Sequence, residues 1–221
     1  VTLLHGVTSS GKTEVYIHLI EEAIRKGQQV LYLVPEIALT TQLTDRLRSV
    51  FGDAVLVYHS RFSSAERVEV YREVRGDEVR GKVILGARSA IFLPFRNLGL
   101  IIVDEEHEPS YKQQDPAPRY HARSAAIMMA QWYNAKVLLG TATPAIETYY
   151  NAMTGKYGYA AMSNRYKGLE MPRITMIDLQ RQYHRKEMYG HFSDPLVFRI
   201  REEIAKGKQV ILFQNRRGYA P

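Results

Sequence analysis

Near the start of the chain, the octapeptide GVTSSGKT at 6–13 separates a short apolar run, VTLLH, from a segment with helical spacing. A glycine-bounded loop of this pattern between a strand and a helix is a P-loop, and it belongs to α/β folds with parallel strands. The glycines let successive backbone N–H groups turn inward on a phosphate, and the following helix adds the positive end of its dipole. Gly6, Val7, Thr8, Ser9, Ser10, Gly11, Lys12 and Thr13 are therefore the candidate phosphate cradle. Lys12 is expected on the β- and γ-phosphates, and the Thr13 hydroxyl in a Mg²⁺ shell.

The rest of the chain follows the same α/β alternation. Apolar runs at 1–5, 30–34, 54–58, 82–85, 100–103 and 136–139 predict buried strands of a mainly parallel sheet. Amphipathic segments at 12–26, 38–50, 64–74, 121–133 and 146–153 predict the flanking helices, the first closed by Gly27. Residues 156–172, rich in Gly, Tyr, Asn and Lys, predict a linker or hairpin crossing. The domains expected are thus a nucleotide-binding lobe at 1–155, a linker at 156–172 and an unfinished second α/β lobe at 173–221. Strands are expected at 174–179 and 209–213, with a helix started by Asp194 and Pro195 between them. The chain lacks an initiator Met and is expected to be a piece of a longer protein.

The run LIIVDE at 100–105 supplies the partner of the P-loop. A buried strand ending in acids places carboxylates at the edge of the sheet where ligands bind in open α/β folds. Asp104 is expected to hold Mg²⁺ and Glu105 to orient or deprotonate the attacking water. A net charge of +7 and a pI near 9.5 favour a polyanionic partner. With no cysteine, disulfides and thiolate metal sites are excluded for this chain. No apolar stretch is long enough to span a membrane and the N-terminus has no signal-peptide pattern, so a cytoplasmic location is expected.

The acids continue as DEEH at 104–107, which resembles the DEAH-type box of superfamily 2 helicases. PEIALT at 35–40, GARSA at 86–90, GTATP at 140–144 and NRRGY at 215–219 agree in order. In combination they resemble the replication-restart (PriA-type, primosomal) DNA helicases. The resemblance implies a RecA-like ATP-binding lobe and the start of a second lobe of a 3′-to-5′ DNA helicase that unwinds branched DNA during primosome assembly. It implies ATP and Mg²⁺ as cofactors, with zinc only in an insertion beyond this chain. The partners implied are single-stranded and branched DNA, primosome proteins and single-stranded DNA-binding protein. It casts Thr141 and Thr143 as coupling residues and His107 as part of the catalytic set. Lacking the second lobe's arginine finger, the chain is expected to bind ATP better than it hydrolyses it. Another superfamily 2 translocase and a non-hydrolysing ATP-binding platform are the alternative functions.

Directly after the acids, residues 109–123 turn aromatic and basic. Tyr111, Lys112, Arg119, Tyr120 and His121, with Arg123, are residue types that stack on bases and neutralise phosphates. The resemblance identifies this segment with an aromatic-rich loop that links DNA engagement to hydrolysis. Arg88 and Ser89 are expected on a DNA backbone, or else Arg88 in a salt bridge to Asp104 or Glu106. Thr143 is equally placed to cap the helix near Pro144, Tyr120 to enter the core, and Pro116 with Pro118 to stiffen a surface loop. His59 and Ser60 are expected to be solvated, and Trp132 to be core.

Overall fold

The computed structural model describes residues 1–35, 41–59, 62–76, 82–168, 170 and 172–213. The PEIALT and NRRGY motifs, the start of the helix expected at 38–50, and Ser60 therefore lie wholly or mostly outside the described residues. The chain divides into two compact units, Val1–Glu170 and Met171–Pro221.

The first unit is built on seven parallel strands in the order β3-β4-β2-β5-β6-β1-β7. These are β1 (Thr2–Gly6), β2 (Gln29–Leu33), β3 (Val55–Tyr58), β4 (Val83–Gly86), β5 (Leu98–Asp104), β6 (Lys136–Thr141) and β7 (Gly158–Met162). Because the central strands are covered on both faces, they are apolar at successive positions rather than at alternate ones. Leu31, Leu33, Ile101, Val103 and Leu139 face one core with Ala126 and Met129 of α4 (Ala122–Tyr133) and Ala152 of α5 (Ile146–Met153). Val30, Tyr32, Leu100, Ile102 and Leu138 face the other, with Tyr16, Ile17 and Ile20 of α1 (Lys12–Arg25) and Leu47 of α2 (Thr41–Phe51). The remaining helix, α3 (Ser64–Arg75), opens with a capping box: Ser63 Oγ accepts from the Glu66 amide, and Glu66 Oε2 from the Ser63 amide.

The order places β6 between β1 and β5, with Leu4 opposite Gly140 and Asp104 opposite Gly140 on the other side. The loops after β1, β5 and β6 therefore open side by side at the carboxyl edge of the sheet, where ligands bind in such folds.

The segment expected as a linker instead contributes β7, which pairs with β1 from Thr2–Gly158 to Gly6–Met162. Its weak apolar signal follows from its place at the edge of the sheet, where most of its residues are exposed. Trp132, expected in the core, is 78% exposed on α4. The second unit holds α6 (Leu179–His184), a short antiparallel pair β8 (Met188–Tyr189) and β9 (Phe192–Ser193), and α7 (Asp194–Ala205). Ser193 stands at the N-cap of α7, so Asp194 and Pro195 lie one position further in than expected. The strands expected at 174–179 and 209–213 do not form. A lone apolar run has no ladder partner among the described residues, and Ile211 and Phe213 remain exposed.

Candidate nucleotide site and nucleic-acid interface

The loop between β1 and α1 opens on a cleft of about 530 Å³ lined by residues 8–14 with Arg46, Asp104, Glu105 and Tyr166. Gly11 has φ +94°, a left-handed turn that lets α1 begin at Lys12. The Lys12 ammonium donates to the Gly6 carbonyl at 2.8 Å, within the loop it would vacate for a phosphate. Ser10 Oγ is buried and has no hydrogen-bond partner among the described residues. An unsatisfied buried hydroxyl is costly, and a bound anion would satisfy it. Residues 6–13 thus fit a phosphate group by their donors as well as by their spacing.

Asp104 ends β5 in a cage of phenols. Tyr16 donates to its Oδ1 at 2.9 Å, Tyr32 to its Oδ2 at 3.3 Å, and the Glu105 amide to Oδ1 at 3.1 Å. Burial pushes the Asp104 carboxyl above the usual range, while the Tyr16 hydroxyl, the Glu105 amide and Lys12 pull the other way. A buried acid held ready to ionise suits a nearby cation, whose charge would offset the burial penalty. Burial, and then the Asp104 charge, push both phenols upward, so they remain protonated donors.

Gly140 makes this cage possible. A Cβ there would fall 1.8 Å from the Tyr16 hydroxyl oxygen. Gly140→Ala should displace Tyr16 from Asp104, cost roughly 1–3 kcal/mol of stability by overpacking and weaken metal–nucleotide binding. Thermal unfolding and nucleotide titration check this. Adding Tyr16→Phe should recover part of the stability, and no loss in the single variant would refute the steric account.

Glu105 follows with φ +46°, an uncommon conformation for a side chain of its size. Burial, and then the neighbouring Asp104 charge, raise its carboxyl. His107 Nδ1 lies 2.7 Å from Thr141 Oγ1 and 3.7 Å from Glu105 Oε2. Thr141 Oγ1 also accepts the Thr143 amide at 3.0 Å, and Thr143 Oγ1 lies 3.4 Å from His107 Nε2. Glu105 and His107 of the DEEH box therefore form one connected set with Thr141 and Thr143.

Glu106 belongs to a different structure. It is fully buried, and its Oε2 accepts from Arg123 at 2.6 Å and from the Thr148 hydroxyl at 2.8 Å. Its Oε1 accepts the amide of Ala145, the N-cap residue of α5, at 2.8 Å. Capping of this helix thus falls to Glu106 and not to Thr143. Nothing in the local spacing of Glu106 foretells a partner on another helix.

The aromatic and basic segment also divides. Tyr111 is buried, and its hydroxyl donates to the Asp104 carbonyl at 2.6 Å. It supports the acid from within the core, which corrects its assignment as a DNA-stacking residue. Arg123 pairs with Glu106. The turn between them closes on itself: Lys112 and His121 form an antiparallel bridge, and the Gln113 side chain donates to the carbonyls of Pro116 and Pro118. Arg88 donates to the carbonyls of Ser110 and Lys112 at 3.0 and 2.9 Å, so neither Asp104 nor Glu106 is its partner. Arg119 is exposed on this loop, and Lys112, Tyr120, His121 and Ser89 are half-buried. Tyr120 packs edge-on against Phe92, which is 65% exposed at a centroid distance of 4.9 Å. Phe92 is an aromatic of this face that the sequence motifs did not single out; an apolar residue two positions after GARSA was its one signal.

A seven-stranded parallel sheet with a P-loop and a DEEH box at one edge is the core of a P-loop-type α/β domain. Residues 1–152 match the DEAD/DEAH box helicase family, and the chain belongs to that family. Membership implies a nucleotide bound with a divalent metal. Over its whole length the chain is similar to replication restart protein PriA of Bacillus subtilis, at 46% identity and 27% of that protein's length. It is also similar to PriA of Rickettsia felis, at 45% identity, all of this chain and 33% of that protein. The chain thus spans about a third or less of these relatives. In fold it is similar to RecG bound to a three-way DNA junction, at TM-score 0.59 and 20% identity over 93% of this chain and 25% of that one. The Pyrococcus furiosus Hef helicase domain has TM-score 0.54 at 19% identity, over 94% of this chain and 51% of that one. Among the described residues no helix is long and apolar enough to cross a membrane.

Proposed function

We propose that the chain is the ATP-binding core of a PriA-like DNA helicase that acts on branched DNA in replication restart. The observation that carries this reading is the meeting, one strand apart, of the unpartnered Ser10 hydroxyl and Lys12 with the phenol-caged Asp104. Lys12 and the loop amides would hold the triphosphate. Thr13 and Asp104 would hold Mg²⁺, which supplies positive charge against the phosphate oxygens when bound. Glu105 would accept the proton of the attacking water. Thr141, Thr143 and His107 would sense that event through their shared hydrogen bonds.

DNA would lie across the same sheet edge, on Arg119, Lys112, Tyr120, His121 and Phe92, with Ser89 beside them. Arg88, just after β4, would act by fastening the base of this loop to its own segment. The 3′-to-5′ direction, primosome proteins and single-stranded DNA-binding protein as partners follow from likeness to PriA proteins. Residues Met171–Pro221 would begin the second helicase lobe.

The test is nucleotide binding and turnover with and without forked and single-stranded DNA, in the full chain and in the intact protein. Lys12→Ala should weaken ATP binding at least about a hundredfold, since a buried charge-assisted contact of roughly 3 kcal/mol is lost. Saturable binding that survives in Lys12→Ala, or turnover in the intact protein indifferent to every DNA, would overturn the assignment.

A further inference from the structure

The polypeptide that follows β7 returns to the P-loop and grips it. The Val7 amide donates to the Met162 carbonyl at 3.2 Å, and the Tyr166 amide to the Ser9 carbonyl at 2.8 Å. Arg165 Nε donates to the Thr8 carbonyl at 3.2 Å, while its Nη1 reaches the Glu170 carbonyl. The turn is fixed by two successive left-handed residues, Lys167 at φ +58° and Gly168 at φ +67°. It leaves Tyr166 66% exposed, and Tyr166 lines the cleft. The Lys167 ammonium lies over the ring, 5.5 Å from its centre, which helps to hold the ring.

The chemistry of the cleft is otherwise hydroxyl, amide, ammonium, guanidinium and carboxylate, suited to phosphate and metal. Arg46 at its margin is already paired with Glu14. A nucleoside triphosphate has one flat, weakly hydrated part, its base, and Tyr166 offers the one aromatic face among the described residues lining the cleft. We propose that Tyr166 is the nucleobase platform of this site. The inference rests on the nucleotide-binding role proposed above. Because the Tyr166 amide is bonded to Ser9, the same residue ties base occupancy to the shape of the phosphate loop. Stacking grows with the area of the base and reads none of its hydrogen-bonding edge, so purine nucleotides should bind better than pyrimidine ones with little choice between ATP and GTP.

The experiment compares Mg-ATP with Mg-tripolyphosphate, both as competitors of a fluorescent nucleotide, on the full chain. Tyr166→Ala should weaken ATP about tenfold, by loss of one stacked base, and leave tripolyphosphate unchanged. Tyr166→Phe should retain most of the ATP affinity, and Lys12→Ala should weaken both ligands together. Equal affinities of Tyr166→Ala and the parent for ATP would overturn the platform. So would a parallel loss for both ligands, which would mark Tyr166 as a support of the P-loop only. Failure of the parent to bind either ligand would overturn the nucleotide site along with it.

Discussion

Replacing Glu106 with alanine should lower the unfolding free energy of the first unit by about 3–5 kcal/mol, the usual cost of stranding one partner of a buried ion pair. Glu106 is fully buried and Arg123 is 15% exposed, so solvent screens the pair little and neither charge can turn to water. The same carboxylate accepts the Thr148 hydroxyl and the Ala145 amide, so its loss also leaves α5 without a cap. For a domain of this size the midpoint of thermal unfolding should fall by about 10 °C. Glu106→Gln keeps an acceptor for the Ala145 amide but not the charge opposite Arg123, and should recover only part of the loss. Urea titration of the parent and both variants decides the matter. A cost below about 1 kcal/mol for the alanine variant would mean that the cluster is not an energetic centre.

That expectation also marks where sequence and structure part. The central strands were legible because a parallel strand covered on both faces must be apolar at every position, as LIIV at 100–103 is. The places of the P-loop and of Asp104 were legible because a glycine-bounded turn between strand and helix, and an acid closing a buried strand, are written in local sequence. β7 was not, because an edge strand such as GYAAM needs few apolar residues. The aromatic and basic loop was legible in composition but not in orientation. Tyr111 and Tyr120 are nine residues apart in one segment, yet one phenol supports Asp104 from inside and the other stands beside exposed Phe92. Likewise Glu105 and Glu106 are adjacent acids with opposite fates. The left-handed turn at Glu105 sends one toward the cleft and the next into the core, and only tertiary contacts decide which. Tyr16 and Tyr32 carried no signal of their own in the sequence; their role depends on hydroxyls that converge from separate elements.

The second large effect should fall on turnover. Glu105→Gln should reduce DNA-stimulated ATP hydrolysis by the intact protein about a thousandfold, within the usual range for removal of a general base. ATP affinity should change little, because Glu105 holds neither the loop amides nor Lys12. The pH dependence supplies a second signature. Burial, and then the Asp104 charge, favour the protonated form of Glu105, so its carboxyl keeps the proton to higher pH than an ordinary glutamate. A base is useful only when ionised, so turnover should rise with pH through a value above the normal glutamate range. Bound cation near Asp104 would lower that value, and the limb should therefore lie further upward at limiting Mg²⁺. The limb should disappear in Glu105→Gln. His107 lies 3.7 Å from the same carboxylate and is the other base within reach. If His107→Asn abolishes the limb and Glu105→Gln retains both it and near-parental turnover, the proton goes to the imidazole, and Glu105 is left with a positioning role beside Thr141.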